Sequence, residues 1–484
     1  MNKDIFSIIL QQSKLSKNIF IYNENISYKD FYKCVDQYYN FFVKNNIEKN
    51  RAICINMHYS IDFISIIFAA YLNKNPITIL NNNCSIKERN HVLDSTKSVV
   101  IFFNKEQDIK GKKVFYNSKN IFYKKINQTK INIFNNNDRF IIFTSGTTNK
   151  PKGVILTTQC FSNNIVSIKE DLKIQKKDKT IIFSPPAYAM GISQIFSFMY
   201  SKAKISFYNE GLRFPHELIN KFIKTDITIL NISVSAYRII AKFFDSKIKL
   251  KKIRIIMSGG MPLTKEVFLE YKKIFPNANV VNFYGCTENS PRISHYQTKS
   301  WNSKENYLPV GKPLKNIKIK ILKKSKDYKF GEILISGSSL MRGYLINHTI
   351  IKKLYKNIWF KTGDIGYQDS AKNLYLKGRS DNIFSVGHEK LYPEEIENII
   401  KKIFKFNEVV IVKKKHKILN WVPVALIDKG LQKKITIDNF KKRCKKYLSS
   451  FKVPSEIMFS KNIPKNNYGK IDRKKIEVYL NENR

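Results

Sequence analysis

Nowhere does this sequence stay apolar for long enough to cross a bilayer: its longest such stretch, residues 63–72, falls well short of the ~20 residues a spanning helix needs. Asp4 stands against a short apolar stretch, residues 5–10, with no small-residue cleavage site after it, which argues against a signal peptide. The six cysteines, at 34, 54, 84, 160, 286 and 444, show no paired spacing for a zinc site, a redox motif or a disulfide framework, so reduced thiols and a cytoplasmic, soluble protein are expected. Acidic residues are scarce: 38 against 86 lysines and arginines leave a formal charge of +48. That excess does not read as a nucleic-acid surface. Lysine, isoleucine, asparagine and tyrosine are abundant along the whole length while glycine numbers only 18, a general compositional bias. The basic clusters at 247–254, 413–417 and 441–446 are scattered and lack interleaved stacking aromatics. They read as solvated faces; attraction of an acidic protein to the two C-terminal clusters is the second reading.

At 484 residues the chain exceeds what one core usually supports, so two or more domains are expected. Short apolar runs alternate with amphipathic stretches: 52–55, then 63–72, then 98–102. This is the pattern of strand–helix–strand units and a layered α/β architecture. A hairpin is expected around residues 369–373, and the turn-rich stretch 377–382 divides a large N-terminal region from a smaller tail. The tail begins with a helix at Pro393, whose first turn carries Glu394 and Glu395. It continues with strands at 408–412 and 422–427 and an amphipathic helix at 437–448, an α+β set.

The densest chemistry lies at residues 144–154. The apolar run Phe140-Ile141-Ile142-Phe143 reads as a buried strand delivering Thr144-Ser145-Gly146-Thr147-Thr148-Asn149-Lys150-Pro151-Lys152-Gly153-Val154 to a sheet edge. Backbone N–H groups around Gly146, the hydroxyls of Thr144, Ser145, Thr147 and Thr148, and the Lys152 ammonium are suited to phosphate oxygens, because converging donors and fixed dipoles bind anions. It is not a Walker A loop: Pro151 separates the two lysines, and Val154-Ile155-Leu156 continues as a strand rather than a capping helix.

Further elements follow in order: Ser258-Gly259-Gly260, Tyr284-Gly285-Cys286-Thr287-Glu288, Pro309 to Pro313, Met341-Arg342-Gly343-Tyr344, Thr362-Gly363-Asp364, Gly378-Arg379-Ser380-Asp381, and Tyr468-Gly469-Lys470. Their order and spacing resemble those of the adenylate-forming superfamily of acyl-CoA synthetases, peptide-synthetase adenylation domains and luciferases. The resemblance runs from about residue 18 to residue 474.

It implies a large multi-subdomain α/β domain, residues 1–378, and a small mobile α+β lid, residues 379–484, with a hinge near Asp381. It implies ATP-dependent conversion of a carboxylic acid to an acyl-adenylate, with release of pyrophosphate. The acyl group then passes to a thiol, of CoA or of the phosphopantetheine of an acidic acyl carrier protein. ATP and Mg2+ are the implied cofactors, with Glu288 and Thr144 as magnesium-side oxygens. Thr287 is placed by it on the α-phosphate, Tyr284 against adenine, Gly259 and Gly285 along the nucleotide, Asp364 at the ribose, and Arg379 on the ribose or phosphate side. Lys470 bridges the attacking carboxylate and the α-phosphate. The segment 385–390 would face the thiol tunnel, with Gly387 allowing close approach. A stand-alone protein loading a carrier protein, or a non-catalytic basic binding protein on this scaffold, are the alternatives.

The chain departs from the family pattern at three places. Asn149 stands where the phosphate loop usually has glycine, though asparagine tolerates left-handed backbone. Tyr188 replaces a common histidine, and no acid lies between Ser184 and Ser193 to meet a substrate ammonium, which disfavours an α-amino acid. Asn382 replaces a common second aspartate after the hinge. Arg292, four residues beyond Glu288, reads as a surface group, with contact to a polar or acidic substrate tail as the other reading.

Overall fold

The computed structural model describes every residue from 4 to 482 except 83, 105–111, 115–120, 127–130, 132, 145–150, 246, 324–328, 353, 357, 387–388, 417–418, 429–434, 461 and 466–470. Contacts divide the chain into two units. One comprises Met1–Ile319 with Ile335–Phe360 and Asp369–Leu374; the other comprises Lys320–Leu334, Lys361–Gln368 and Tyr375–Arg484.

The first unit contains the expected alternation. Strand Ile53–Asn56 leads to helix Ile61–Leu72 and strand Ile77–Ile79. Ile53 is in parallel register with both Ile77 and Val100, and the Ser60 hydroxyl caps the helix by accepting from the Phe63 N–H. These strands belong to a nine-stranded sheet in which Ile77–Ile79 lies beside Asp138–Thr144, then Lys152–Thr157, then Gly343–Ile346. Asp138–Thr144 is buried up to Phe143 and pairs antiparallel with Lys152–Thr157, with Thr144 opposite Lys152. The apolar run that precedes the hydroxyl-rich loop is therefore a central strand, and the loop spans a hairpin.

A five-stranded sheet carries the second glycine-containing motif. Ile229–Asn231, Ile255–Gly259 and Asn279–Gly285 run parallel, and Arg292–Thr298 returns antiparallel to the last of them. Helices Thr158–Leu172 and Ala189–Tyr200 pack on one another. The packing is aromatic: Phe161 and Phe196 lie 5.1 Å apart edge to face, and Phe68 stacks on Phe196 at 5.4 Å. Each fully buried phenylalanine contributes ~1.5–3 kcal/mol, so this cluster is a principal anchor of the first unit. No helix among the described residues is long and apolar enough to cross a membrane.

The second unit holds most of a four-stranded sheet, a two-stranded one, Phe384–Val386 with Glu389–Leu391, and the three-stranded sheet Val409–His416, Asn420–Asp428 and Glu456–Ser460. Helix Pro393–Phe404 starts at its proline, with Glu394 and Glu395 in the first turn and Lys401 and Lys402 in the last, matching the field along a helix axis. The next helix is shorter than its sequence suggests. It spans Ile437–Cys444, and the Tyr447 and Leu448 N–H groups both turn back to the Cys444 carbonyl. Phe404 and Phe440 stack at 4.8 Å in this unit's core. In the first unit, residues 369–373 form the expected tight turn: the Asp369 and Asn373 backbones bond at 3.0 Å and the Asn373 N–H donates to Asp369 Oδ1 at 2.7 Å.

Candidate active site

In the first unit the two motif-bearing hairpins meet at Tyr344. Strand Gly343–Ile346 pairs antiparallel with Lys152–Thr157, placing Tyr344 opposite Val154 and Leu345 opposite Gly153. A Cβ on Gly153 would lie 3.0 Å from Ile141 Cγ2 and 3.3 Å from Leu345 Cβ, so glycine permits this close approach of strands. From that strand the Tyr344 hydroxyl donates to Glu288 Oε1 at 2.8 Å, and the Lys152 ammonium lies 5.8 Å from the Tyr344 ring centroid. One aromatic side chain thus contacts the cation of the first loop and the carboxylate of the second. The backbone adds to this, because the Met341 N–H donates to the Glu288 carbonyl at 2.8 Å and the Arg342 N–H to the Ile155 carbonyl at 2.9 Å. Arg342 also forms an ion pair with the buried Asp138, at the end of strand Asp138–Thr144 away from the loop.

The hairpin behind Glu288 requires its glycines. Gly285 is in register with Arg292, and a Cβ there would stand 2.1 Å from the Pro291 carbonyl oxygen. Gly259, at the end of Ile255–Gly259, is covered by the Phe283 ring at 2.5 Å from where its Cβ would be. Thr287 and Glu288 follow on a single turn of 3-10 helix and are half-buried. Tyr284 is buried within its strand, opposite Ser294. Thr144 is half-buried at the start of the loop. Ser145, Gly146, Thr147, Thr148 and Lys470 lie outside the described residues, as do Gly387 and His388 in the segment expected at the thiol tunnel.

Glu288 and Thr144, the residues expected on the magnesium side, carry a carboxylate and a hydroxyl; hard oxygens of this kind suit magnesium, which is held by one or two carboxylates while phosphates and water complete its shell. Among the described residues no cluster of three or more His, Cys, Asp or Glu could hold a metal.

In the second unit Arg379 is the organising residue. Its guanidinium donates to the Thr362 carbonyl at 2.8 Å, to Asp364 Oδ1 at 3.0 Å and to Asp381 Oδ2 at 3.2 Å. Burial opposes its charge, but the Asp364 and Asp381 carboxylates hold its pKa above the usual arginine range. Gly363, at φ +73°, makes room for it: a Cβ there would be 2.8 Å from Arg379 Nη2. The expected ribose aspartate, the arginine expected on the ribose or phosphate side and the expected hinge aspartate are thus one bonded cluster. Asn382 also finds a partner, its amide donating to Glu394 Oε1. Burial raises the Glu394 pKa, and a neutral donor suits that carboxyl better than a second aspartate.

Arg292 is not a surface group, contrary to the expectation from its loop-like context. It is 4% exposed. Asn164 receives its N–H at 3.1 Å and donates to its carbonyl at 2.7 Å, and Asn289 donates to the same carbonyl at 2.9 Å. The guanidinium lies 4.2 Å from the Phe283 ring centroid, and burial pulls its pKa down to about 10, with Asp171 acting against the shift. No local pattern signals this, since Arg292, Ile293 and Ser294 are buried in succession; the contacts of Tyr344 likewise depend on which strand lies beside Lys152–Thr157.

An α/β fold in which these two hairpins meet at Tyr344 is the frame in which comparison with known proteins places the chain. The family model of AMP-binding enzymes matches residues 10–345, and the chain belongs to that family. It is 31% identical over 350 residues to the 2-succinylbenzoate–CoA ligase of Listeria innocua serovar 6a, covering 70% of this chain and 69% of that one. Among solved structures, the o-succinylbenzoate CoA synthetase of Bacillus subtilis has the same fold. In complex with its acyl-adenylate intermediate it gives a TM-score of 0.83 at 21% identity over 98% of each chain; with ATP and a magnesium ion the TM-score is 0.80 at 21% identity, over 98% of this chain and 99% of that one. The anthranilate CoA ligase AuaEII, in complex with anthranoyl-AMP, gives 0.84 at 16% identity over 99% of this chain and 98% of that one.

Proposed function

We propose that this enzyme is an AMP-forming acid–thiol ligase whose adenylation chemistry is carried out around Lys152, Tyr344 and Glu288. It joins a carboxylic acid to ATP as an acyl-adenylate, releases pyrophosphate, and transfers the acyl group to the thiol of CoA. The observation that carries the reading is the bridge from Lys152 through Tyr344 to Glu288. A phosphate-attracting cation and an oxygen ligand on separate hairpins are held by one side chain, as charge neutralisation of a polyphosphate requires.

The chemical problem is electrostatic, because a carboxylate must approach a negatively charged α-phosphate and expel pyrophosphate. Lys152 and the hydroxyls of the loop hold the departing phosphates, and Thr287 orients the α-phosphate. Glu288 and Thr144 would hold the magnesium bound with ATP, which would supply positive charge to the phosphate oxygens. Tyr284 supports the adenine, and Asp364 accepts from the ribose hydroxyls while Arg379 aligns it. Lys470 supplies positive charge where the carboxylate attacks. A hinge at Asp381 lets the small domain, residues 379–484, withdraw Lys470 so that a thiol can reach the acyl-adenylate. The phosphopantetheine of an acidic carrier protein is the second acceptor to be tried, since it presents the same thiol arm as CoA. A cytoplasmic location is part of the same reading.

The test is ATP–pyrophosphate exchange and CoA-thioester formation across a panel of acids. It begins with 2-succinylbenzoate and anthranilate, the acids named for the relative and for the solved structure of similar fold. Acid-dependent exchange and an acyl-CoA product support the reading. Exchange with no acid in the panel, together with tight, salt-sensitive RNA binding, would instead favour a binding protein on this scaffold.

A further inference from the structure

Arg292 presents a contradiction that its own surroundings do not resolve. Its backbone is fixed by Asn164 and Asn289, so the side chain is aimed rather than loose. Its guanidinium forms no ion pair among the described residues; its polar contact is Nη1 to the Met257 sulfur at 3.7 Å, and the rest is the face of Phe283. The acid that acts on it, Asp171, lies instead 3.7 Å from His295 Nδ1 and keeps about a third of its side chain exposed. A buried charge without a bonded counter-ion is expensive to keep and is normally neutralised or paired.

The guanidinium borders a cavity lined by Ser193, Gln194, Asn231 and Met257 and otherwise mostly apolar, with no acidic residue on its wall. The polar atoms there are incompletely used as well: Gln194 donates to Thr180 Oγ1 at 2.7 Å and accepts from Asn231 at 3.3 Å, while the buried Asn231 Oδ1 has no partner. Arg292 sits directly across the hairpin from Gly285, so the cavity it lines borders the strand that follows Thr287 and Glu288. The free space is about 10 Å³, about one water's worth, so a larger group fits only if the flexible Met257 and Gln194 side chains on its wall move aside.

We propose that the acid this enzyme activates carries a second anionic group, and that Arg292 is the specificity-determining residue that receives it. The proposal rests on the acyl-adenylation reading above. One carboxylate reacts at the nucleotide; the other group, remote from it, pairs with the guanidinium, and its hydration water supplies a donor to Asn231 Oδ1. A cation would be repelled, and a hydrocarbon tail would leave the guanidinium and the Asn231 oxygen unsatisfied, which is how polar pockets reject analogues lacking the matching group.

The test uses the full-length chain and acid-dependent pyrophosphate release with matched pairs: adipate against hexanoate, and 2-succinylbenzoate against 4-oxo-4-phenylbutanoate, which lacks the ring carboxylate. In each pair that reacts, the diacid is expected to have kcat/KM at least ~100-fold higher. Arg292→Met brings that ratio to about 10 or below, and Arg292→Lys, a point charge without the planar fork, leaves it between the two. Arg292→Met is also expected to melt at or above the wild-type temperature, since it removes an uncompensated buried charge. Equal rates within the pairs, a preference for the monoacids, or an Arg292→Met protein that melts lower and loses both members of a pair alike would overturn the assignment. Release with monoacids alone ends this proposal and leaves adenylation standing, whereas no release with any acid ends both.

Discussion

Removing the hydroxyl of Tyr344 tests the bridge between the two hairpins with one atom. Tyr344→Phe keeps the ring under Lys152 but deletes the 2.8 Å hydrogen bond to Glu288. A hydrogen bond to a charged group is worth ~1.5–3 kcal/mol. Glu288 is half-buried, so water replaces part of what is lost and the lower end, about 1.5 kcal/mol, applies. That corresponds to about a tenfold fall in kcat/KM for adenylation. Because Glu288 is assigned to the magnesium side of the nucleotide, the loss should be largest at limiting Mg·ATP and shrink at saturation. Tyr344→Leu removes the ring as well, and the cation–π contact with Lys152 adds ~0.5–1 kcal/mol, a further few-fold. The assay is ATP–pyrophosphate exchange titrated with Mg·ATP at fixed acid. Exchange by Tyr344→Phe within twofold of wild type at every Mg·ATP concentration would refute the bridge as a functional element.

Other substitutions examine other parts of the account. Lys470→Ala should suppress adenylate formation far more than thioester formation from supplied acyl-adenylate, and equal losses in separate half-reaction assays would contradict the assigned division of labour. Gly285→Ala puts a Cβ 2.1 Å from the Pro291 carbonyl; overpacking of this kind costs ~1–3 kcal/mol, so both the melting temperature and exchange activity should fall, and an unaltered melting curve would count against the tight hairpin. Asn382→Asp sets a second carboxylate against Glu394, whose pKa burial already raises. A carboxyl with a raised folded pKa loses stability as pH climbs from its unfolded value of about 4.3 towards and through the folded one. The mutant should therefore be impaired more at pH 8 than at pH 5 in thermal unfolding, and a pH-independent effect would show that Asn382 is not acting through Glu394.

Much of the framework around the candidate site was legible in the sequence because it is local. The run from Phe140 to Phe143 is a central strand, Val154 to Leu156 continues as its antiparallel partner, and Pro393 opens a helix with acids in its first turn. Each follows from periodicity, turn chemistry or a cap, properties of a few consecutive residues. What escaped was non-local. The contacts of Tyr344 arise because Gly343–Ile346 lies against Lys152–Thr157, a pairing across nearly two hundred residues that no short pattern specifies. Arg292 was read as exposed because arginines near turns usually are; its burial follows from two asparagines, one of them on a distant helix, that pin its backbone inside the sheet. The departure at Asn382 was visible, but its purpose, donation to Glu394, required the helix at Pro393 to be placed beside it.

The central claim is that this chain attacks the α-phosphate of ATP with a carboxylate. The most direct measurement is product analysis by mass spectrometry and pyrophosphate quantification after incubation with ATP, Mg2+ and an acid in the absence of thiol. The account predicts acyl-adenylate and pyrophosphate in equal amounts, converted to AMP and acyl-CoA when CoA is added. ADP and inorganic phosphate as the products, or pyrophosphate release that does not depend on the acid, would contradict it.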